Sequence, residues 1–192
     1  MLPNETKMKI EILLDKGMVF SAKKLCEKMI ETDNSEYLKF QYANILRMCT
    51  LFSKSENTFR TIDVERIPEK YRYYYHLYLA HLLMDIGKTE QAKDELKKCM
   101  QFEVSDTIPY VYIASLLLGE QDNEEAIDYL TRALDKKGDI DEVYYNLATR
   151  FLVRGDLDSA MNAINSCLRL DPEYPNAQVI KEDLIELERM NW

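Results

Sequence analysis

Apolar side chains recur along this chain at the spacing of one buried helix face, and the arrangement returns every 34 residues. An apolar residue followed by a small one marks the period, at Leu79-Ala80, Ile113-Ala114 and Leu147-Ala148. A column of alanines follows with the same period, at Ala92, Ala126 and Ala160. Columns that coincide at one period indicate an internal repeat, so the pattern predicts a chain of repeated helical units.

The period weakens towards the N-terminus. Gly17 and Ala22 stand where a first unit should hold its turn glycine and its small residue. From Gly17 to Gly87 the chain advances 70 residues, two more than two periods, so the second unit holds about two extra residues. Its first helix could begin in register at Glu36 or at Lys39, and its second helix has no small residue in a clear position.

The best-formed period, residues 141–174, is similar to the tetratricopeptide repeat (TPR), a family of helix–turn–helix units. Its matching residues are Tyr144, Leu147, Ala148, Phe151, Gly155, Ala160, Ile164, Cys167 and Pro172. Residues 73–106 and 107–140 match most of the same positions, with Gln121 in the glycine position of the latter. The resemblance implies an all-α superhelix, or solenoid, in which units stack because one unit cannot bury its apolar faces alone.

We therefore expect one all-α domain, residues 1–192, of about five TPR-like helical hairpins and a C-terminal capping helix. The expected units are residues 3–34, 35–72, 73–106, 107–140 and 141–174, the second of them degenerate. The predicted cap, residues 175–190, is an amphipathic helix with Ile180, Leu184 and Leu187 on one face. It would cover the apolar face of the last hairpin.

Composition narrows the functional classes. A hydrophobic share of 46% suffices for a packed core, and no apolar run approaches the ~20 residues that cross a bilayer. No secretory signal is visible and the four cysteines form no C-x-x-C pair, so we expect a cytoplasmic protein with reduced thiols. A formal net charge of −9 disfavours nucleic acid and anionic membranes as partners.

The charge is unevenly distributed. Residues 1–101 carry 17 basic and 15 acidic side chains, whereas residues 102–192 carry 8 and 19. An acidic half attracts basic partners. The alternative, which stays open, is that these acids only solvate the helices.

No catalytic arrangement is visible in the sequence. The two histidines, His76 and His81, lie five residues apart and cannot form a ligand pair on one helical face. Phosphate-binding glycine loops, the nucleophile motif G-x-S-x-G and the zinc motif H-x-x-x-H are absent. We therefore predict no enzymatic activity, no cofactor and no metal site.

The first helices of TPR units line the ligand groove of the family. The resemblance places these candidate binding residues there: Tyr74, Tyr78, His81, Asp85, Tyr112, Ser115, Tyr145, Asn146 and Thr149. Leu118 and Val153 occupy groove positions as well. Tyrosine combines a large apolar ring with a hydroxyl and few rotatable bonds, which suits recognition surfaces. Tyr73 and Tyr75 are expected to fill space between stacked units instead.

The acidic C-terminal tail of cytosolic chaperones is a familiar TPR ligand, but it fits this chain poorly. Lys7 matches the clamp that holds the tail, whereas Glu11 stands where an asparagine is expected. Asn44 matches only if the second unit follows the Lys39 register. Two tyrosines replace the basic residues of the third unit, so a chaperone tail is disfavoured.

The function that the resemblance implies is a non-catalytic protein–protein interaction module, an adaptor or scaffold that binds a partner peptide or helix in its concave groove. Two other functions stay open. One is a structural subunit that associates with itself or with a larger assembly. The other is a regulatory module that senses a short peptide.

Overall fold

The computed structural model describes residues 4–119 and 122–190, with side chains from residue 8 onward. Within these ranges all regular structure is helical, which confirms the predicted fold class. The α-helices are Asn4–Asp15 (α1), Val19–Ile30 (α2), Glu36–Met48 (α3), Phe52–Arg60 (α4), Glu69–Asp85 (α5), Thr89–Cys99 (α6), Ile108–Leu116 (α7), Asn123–Ala133 (α8), Ile140–Arg154 (α9), Leu157–Leu170 (α10) and Ala177–Met190 (α11). A short 3-10 helix, Val64–Arg66, lies between α4 and α5.

Two compact units divide the chain, Met1–Phe102 and Glu103–Trp192. In the first unit, α1 and α2, α3 and α4, and α5 and α6 pack as three hairpins, and α3 contacts both α2 and α5. In the second unit, α7 and α8, and α9 and α10, pack as two hairpins, α8 contacts α9, and α11 packs on α10. Each unit is thus built from the predicted hairpins, and the assignment to a single domain stays a prediction.

A residue with left-handed backbone geometry lies in the turn of each of four hairpins. Gly17, Gly87 and Gly155 have φ angles of 68°, 72° and 77°, which glycine adopts without a steric penalty because it has no Cβ. Thr50 takes the same place between α3 and α4, with a φ of 58°. Gln121, predicted for the turn after α7, lies outside the described residues.

The fourth residue of the second helix in every hairpin is small and fully buried. This column consists of Ala22, Ser55, Ala92, Ala126 and Ala160. A small side chain there lets the two helix axes approach closely. Ser55 is the one member that the sequence did not predict, and its hydroxyl donates a hydrogen bond of 2.7 Å to the backbone oxygen of Ala43 on α3.

The positions of Ser55 and Thr50 favour the register of the second hairpin that begins at Glu36. In that register they occupy the small-residue and turn positions, and Ala43 occupies the small position of α3. Thr50 and Gly87 are 37 residues apart, three more than the period, and the 3-10 helix lies in this interval. The extra residues therefore belong to the connection between α4 and α5 rather than to the helices of the hairpin.

Helix α11 buries fewer residues than its sequence pattern predicts. Ala177 and Leu184 are fully buried and Ile180 is half-buried, but Leu187 is exposed. The contact with α10 therefore involves the first three turns of α11. Its role as a cap stays a prediction.

Candidate functional site

In the first unit, the predicted binding residues lie along α5. Tyr74 is 43% exposed. Tyr78 is half-buried, with its ring centroid 6.2 Å from that of Tyr74 and 6.1 Å from that of Phe40, a fully buried core residue on α3. Burial raises the pKa of Tyr78 above its ordinary value. Tyr78 thus packs partly against the core of its own unit, whereas Tyr74 presents its ring to solvent.

An ion pair connects the C-terminal end of α5 to α3. Nη1 of Arg47 donates to Oδ2 of Asp85 at 2.9 Å. His81, one turn before Asp85, has its pKa lowered to about 4 by burial and by the charge of Arg47, with Asp85 acting in the opposite direction. His81 is therefore neutral near pH 7. Arg47 was not predicted from the sequence because this contact joins residues 38 positions apart.

Asn44 has a partner inside its own helix. It is buried, and its Oδ1 accepts a hydrogen bond of 3.2 Å from Nε of Arg47. The Glu36 register also moves Asn44 away from the clamp position that the Lys39 register would give it. The side chain of Lys7, the other match to the clamp, lies outside the described residues. The amide oxygen of Asn44 thus supports Arg47.

In the second unit, the predicted polar residues donate hydrogen bonds to their own helices. On α7, Oγ of Ser115 donates to the backbone oxygen of Tyr112 at 2.8 Å. On α9, Oγ1 of Thr149 donates to the backbone oxygen of Asn146 at 2.7 Å, and Nδ2 of Asn146 donates to that of Glu142 at 2.8 Å. These bonds use both hydroxyl hydrogens and one N–H of Asn146, so the two hydroxyl oxygens, the Asn146 Oδ1 atom and its second N–H remain for a partner. Acceptors outnumber donors in this set, which therefore mainly suits a partner that donates hydrogen bonds.

Apolar side chains are exposed on the same two helices or next to them. Leu118, two residues after α7 ends, is 82% exposed, and Val153 near the end of α9 is exposed as well. Tyr145 is half-buried, with its ring 4.9 Å from that of Tyr174. The predicted binding residues of the second unit thus combine hydrogen-bond acceptors with exposed apolar area.

Three carboxylates surround the start of α9. Burial, followed by the charges of Asp139 and Asp141, raises the pKa of Glu142 above its ordinary value. A cationic group near Glu142 would stabilise its ionised form. The start of α9 is therefore electrostatically suited to a positively charged ligand.

Within the described residues, no three or more His, Cys, Asp or Glu side chains are grouped so that they could hold a metal ion. No helix in the described part of the chain is long and apolar enough to cross a membrane. Burial, with a smaller contribution from Glu27, raises the pKa of Cys26 to about 12, so this thiol stays protonated and acts as a packing side chain.

Comparison with solved structures places the fold among TPR proteins. YrrB, described as a TPR protein with an unusual peptide-binding site, shares 14% identity at a TM-score of 0.69, over 90% of this chain and 88% of YrrB. A TPR protein from Parabacteroides merdae shares 16% identity at a TM-score of 0.72, over 97% of this chain and 73% of that one. MamA from Desulfovibrio magneticus shares 13% identity at a TM-score of 0.71, over 91% of this chain and 99% of that one. Identities this low carry information about the fold alone.

Comparison at the level of sequence gives a narrower result. No curated protein sequence matches the chain significantly. A family model described as tetratricopeptide repeat matches residues 71–103 and 141–174, which cover the hairpins α5–α6 and α9–α10 except for the first one or two residues of α5 and α9. These two matches show that the chain contains tetratricopeptide repeats, and it shares its fold with solved TPR structures.

Proposed function

We propose that this protein is a non-catalytic binding module that holds a partner peptide or helix on the α7 and α9 surface of its second unit. The observation that carries the proposal is the exposure of Leu118 and Val153 beside the acceptors of Ser115, Asn146 and Thr149. Exposed apolar side chains among polar groups are typical of protein interaction sites. The proposal includes a cytoplasmic location. The family resemblance, and the peptide-binding site ascribed to YrrB, support the same function.

The partner segment in this proposal is basic and partly apolar. Residues 103–192 contain 8 basic and 19 acidic side chains, and Glu142 lies beside the proposed contact surface. Because the pKa of Glu142 is raised in the free protein, its carboxyl stays protonated to a higher pH than that of an ordinary glutamate. A cation binds the ionised form, so affinity should rise as the pH increases through the raised pKa of Glu142 and then level off.

Selection from a random peptide library on the immobilised full chain tests this proposal. Selected peptides should be enriched in Lys, Arg and apolar residues. The double variant Leu118→Ser, Val153→Ser should weaken their binding by about tenfold or more, because it removes apolar contact area. Leu170→Ser is the matched control, since Leu170 is exposed in the same unit but lies at the end of α10. Enrichment of acidic peptides, or equal binding by the double variant and the control, would contradict the proposal.

A structural subunit is the second candidate, and one residue favours it. Phe20 is 73% exposed at the second position of α2. The corresponding residues of α4, α6, α8 and α10 are all polar: Ser53, Glu90, Glu124 and Asp158. Light scattering of the wild type and of Phe20→Ser distinguishes the two functions. A stable oligomer that the substitution dissociates would favour the subunit, and a monomer in both cases would favour the binding module.

A further inference from the structure

A cleft of about 310 Å³ lies between α4, α5 and α6 in the first unit. Its floor is apolar and consists of Phe59, Tyr75, Leu79 and Leu83, of which only Leu79 is more than marginally accessible. Its walls carry charged side chains of α4 and α6. None of the residues proposed above for partner binding lines this α4–α6 cleft, so it is a separate place on the molecule.

The hydroxyl of Tyr75 is the polar group on the floor. Tyr75 is 6% exposed and lines the cleft, and it makes no hydrogen bond to another residue in the described part of the chain. Burial, with a contribution from Glu95, raises its pKa to about 12. The phenol therefore stays protonated and can both donate and accept. The hydroxyl keeps some contact with solvent, and a ligand with a polar group can replace that solvent with a direct hydrogen bond.

The charges of the cleft are arranged by depth. The exposed fractions of the carboxylate side chains are 13% for Glu95 and 22% for Glu56, whereas those of the cations are 48% for Lys98 and 69% for Arg60. Asp94, a third carboxylate, is exposed at the opening. The acceptors thus lie deeper than the cations, and the inner part of the cleft favours a positively charged group.

Glu95 is fixed in its ionised form and can still accept further hydrogen bonds. Nδ1 of His76 donates to its Oε2, and Nζ of Lys98 donates to its Oε1, each at 2.7 Å. Burial alone would raise the pKa of Glu95, but these contacts outweigh it and lower the pKa below its ordinary value. An ionised carboxylate has about four acceptor positions. Two positions are therefore left for a ligand.

We propose that the α4–α6 cleft binds the guanidinium group of an arginine side chain presented by a partner protein. The guanidinium group carries five N–H donors in one plane. Glu95 and the Tyr75 hydroxyl oxygen accept from it inside the cleft, and Asp94 accepts at the opening. The methylene stem and the planar face of the arginine pack on Phe59 and Leu79.

Arginine fits these features better than lysine or an anion. A lysine ammonium is a compact and strongly hydrated charge, so it gains less from an apolar floor. An anion would approach Glu95 and Glu56, the two least exposed charges of the cleft. The cations at the rim are held only by partly exposed ion pairs of small net strength, so they can move outward when the arginine enters.

The second unit shows that the charges are not needed to build such a cleft. A cleft of about 290 Å³ lies at the corresponding position between α8, α9 and α10. Four charged positions of the α4–α6 cleft are uncharged in this second cleft. Thr131 replaces Arg60, Asn162 replaces Asp94, Ala163 replaces Glu95 and Ser166 replaces Lys98. Since helices pack around this space without any charge, the buried carboxylate of the first cleft is available for recognition.

Titration of the full chain with two small probes, followed by two-dimensional amide NMR, tests the proposal. The probes are Nα-acetyl-arginine methylamide and its citrulline counterpart, in which an uncharged urea group replaces the guanidinium. The arginine probe should cause saturable shifts around Tyr75, Leu79 and Glu95, with a Kd on the order of 1 mM for one isolated side chain. The citrulline probe should bind at least about tenfold more weakly, because it lacks the charge.

Variants separate recognition from a structural effect. Glu95→Gln should weaken the arginine probe by about tenfold or more, and Tyr75→Phe, which keeps the ring packing, by about three- to tenfold. Glu90→Gln is the matched control, since Glu90 is a largely exposed acid on the same helix. If Glu95→Gln disturbs the fold, Tyr75→Phe decides the question.

Several outcomes would overturn the proposal: equal binding of both probes, unchanged binding by Tyr75→Phe, shifts that map outside the cleft, or no saturation. The proposal does not depend on the function assigned to the second unit. The double variant Leu118→Ser, Val153→Ser should lose its selected peptides and still bind the arginine probe. Failure of one proposal is therefore distinguishable from failure of the other.

Discussion

The two units fill the same repeat position between neighbouring hairpins in different ways. In the first unit, the residue two places after the small residue of α3 and α5 is apolar and fully buried, Ile45 or Leu82. In α9 of the second unit it is Arg150, whose Nη2 and Nη1 atoms donate to the backbone oxygens of Ala114 and Leu117 at 2.7 and 2.8 Å. The repeat thus fixes where neighbouring hairpins meet, and the local sequence decides whether apolar burial or hydrogen bonding joins them.

The proposed binding surfaces differ between the units as well. In the first unit, two of the predicted binding residues of α5 contact α3: Tyr78 packs on Phe40, and Asp85 pairs with Arg47. In the second unit, the polar groups bond within their own helices and Leu118 stays exposed. Contacts that stabilise the first unit therefore reduce the surface that it offers to a partner.

The largest loss of stability is expected from Leu82→Ala. This change leaves a cavity in the core that Leu82 shares with Tyr37 and Phe40, and such cavities lower the free energy of unfolding by about 3 kcal/mol. Urea denaturation followed by circular dichroism measures it, with the exposed Leu118→Ala as the control. A loss similar to that of the control would mean that the interface between the second and third hairpins contributes little.

A smaller loss is expected from Arg150→Met, which keeps the length of the side chain and removes its donors. The carbonyl groups of Ala114 and Leu117 then lose charged partners, and the free energy of unfolding should fall by about 2 kcal/mol. The exposed Arg169→Met serves as the control in the same denaturation experiment. If Arg150→Met is as stable as the wild type, apolar packing can replace hydrogen bonding at this position, and the contrast between the units has no energetic meaning.

Ser55→Ala sharpens the comparison inside the first unit, because alanine is what the other four hairpins have at this position. The change removes the hydrogen bond to Ala43 without altering the volume much, so we expect a loss of about 1 kcal/mol in the free energy of unfolding. Thermal unfolding of both proteins provides the measurement. A gain in stability would show that close helix packing favours alanine even where the serine hydroxyl has a partner.

Ser55 also shows what the sequence could predict and where it stopped. Columns of alanine located the hairpins, since a small residue is required wherever two helices cross closely. Ser55 escaped notice because the period is interrupted after α4, and the alignment of this hairpin depends on tertiary contacts. The partial burial of Tyr78 was not predictable either, because it depends on the size of Phe40, which faces it from another helix. The spacing of residues along one helix says which side chains share a face, but not what covers that face.

The smallest expected effect is an increase in the free energy of unfolding. Thr50 is exposed and has a φ of 58°, a conformation that strains a β-branched residue. Thr50→Gly removes this strain but adds conformational entropy to the unfolded chain, so the free energy of unfolding should rise by only about 0.5 kcal/mol. Gly87→Ala is the matched reverse change: an added Cβ would meet nothing within 4 Å, so its loss of about 1 kcal/mol reports backbone strain alone. If both substitutions leave stability unchanged, the left-handed turn geometry does not limit either hairpin. If Gly87→Ala lowers the free energy of unfolding but Thr50→Gly does not raise it, contacts of the threonine side chain compensate its backbone strain in the irregular second hairpin.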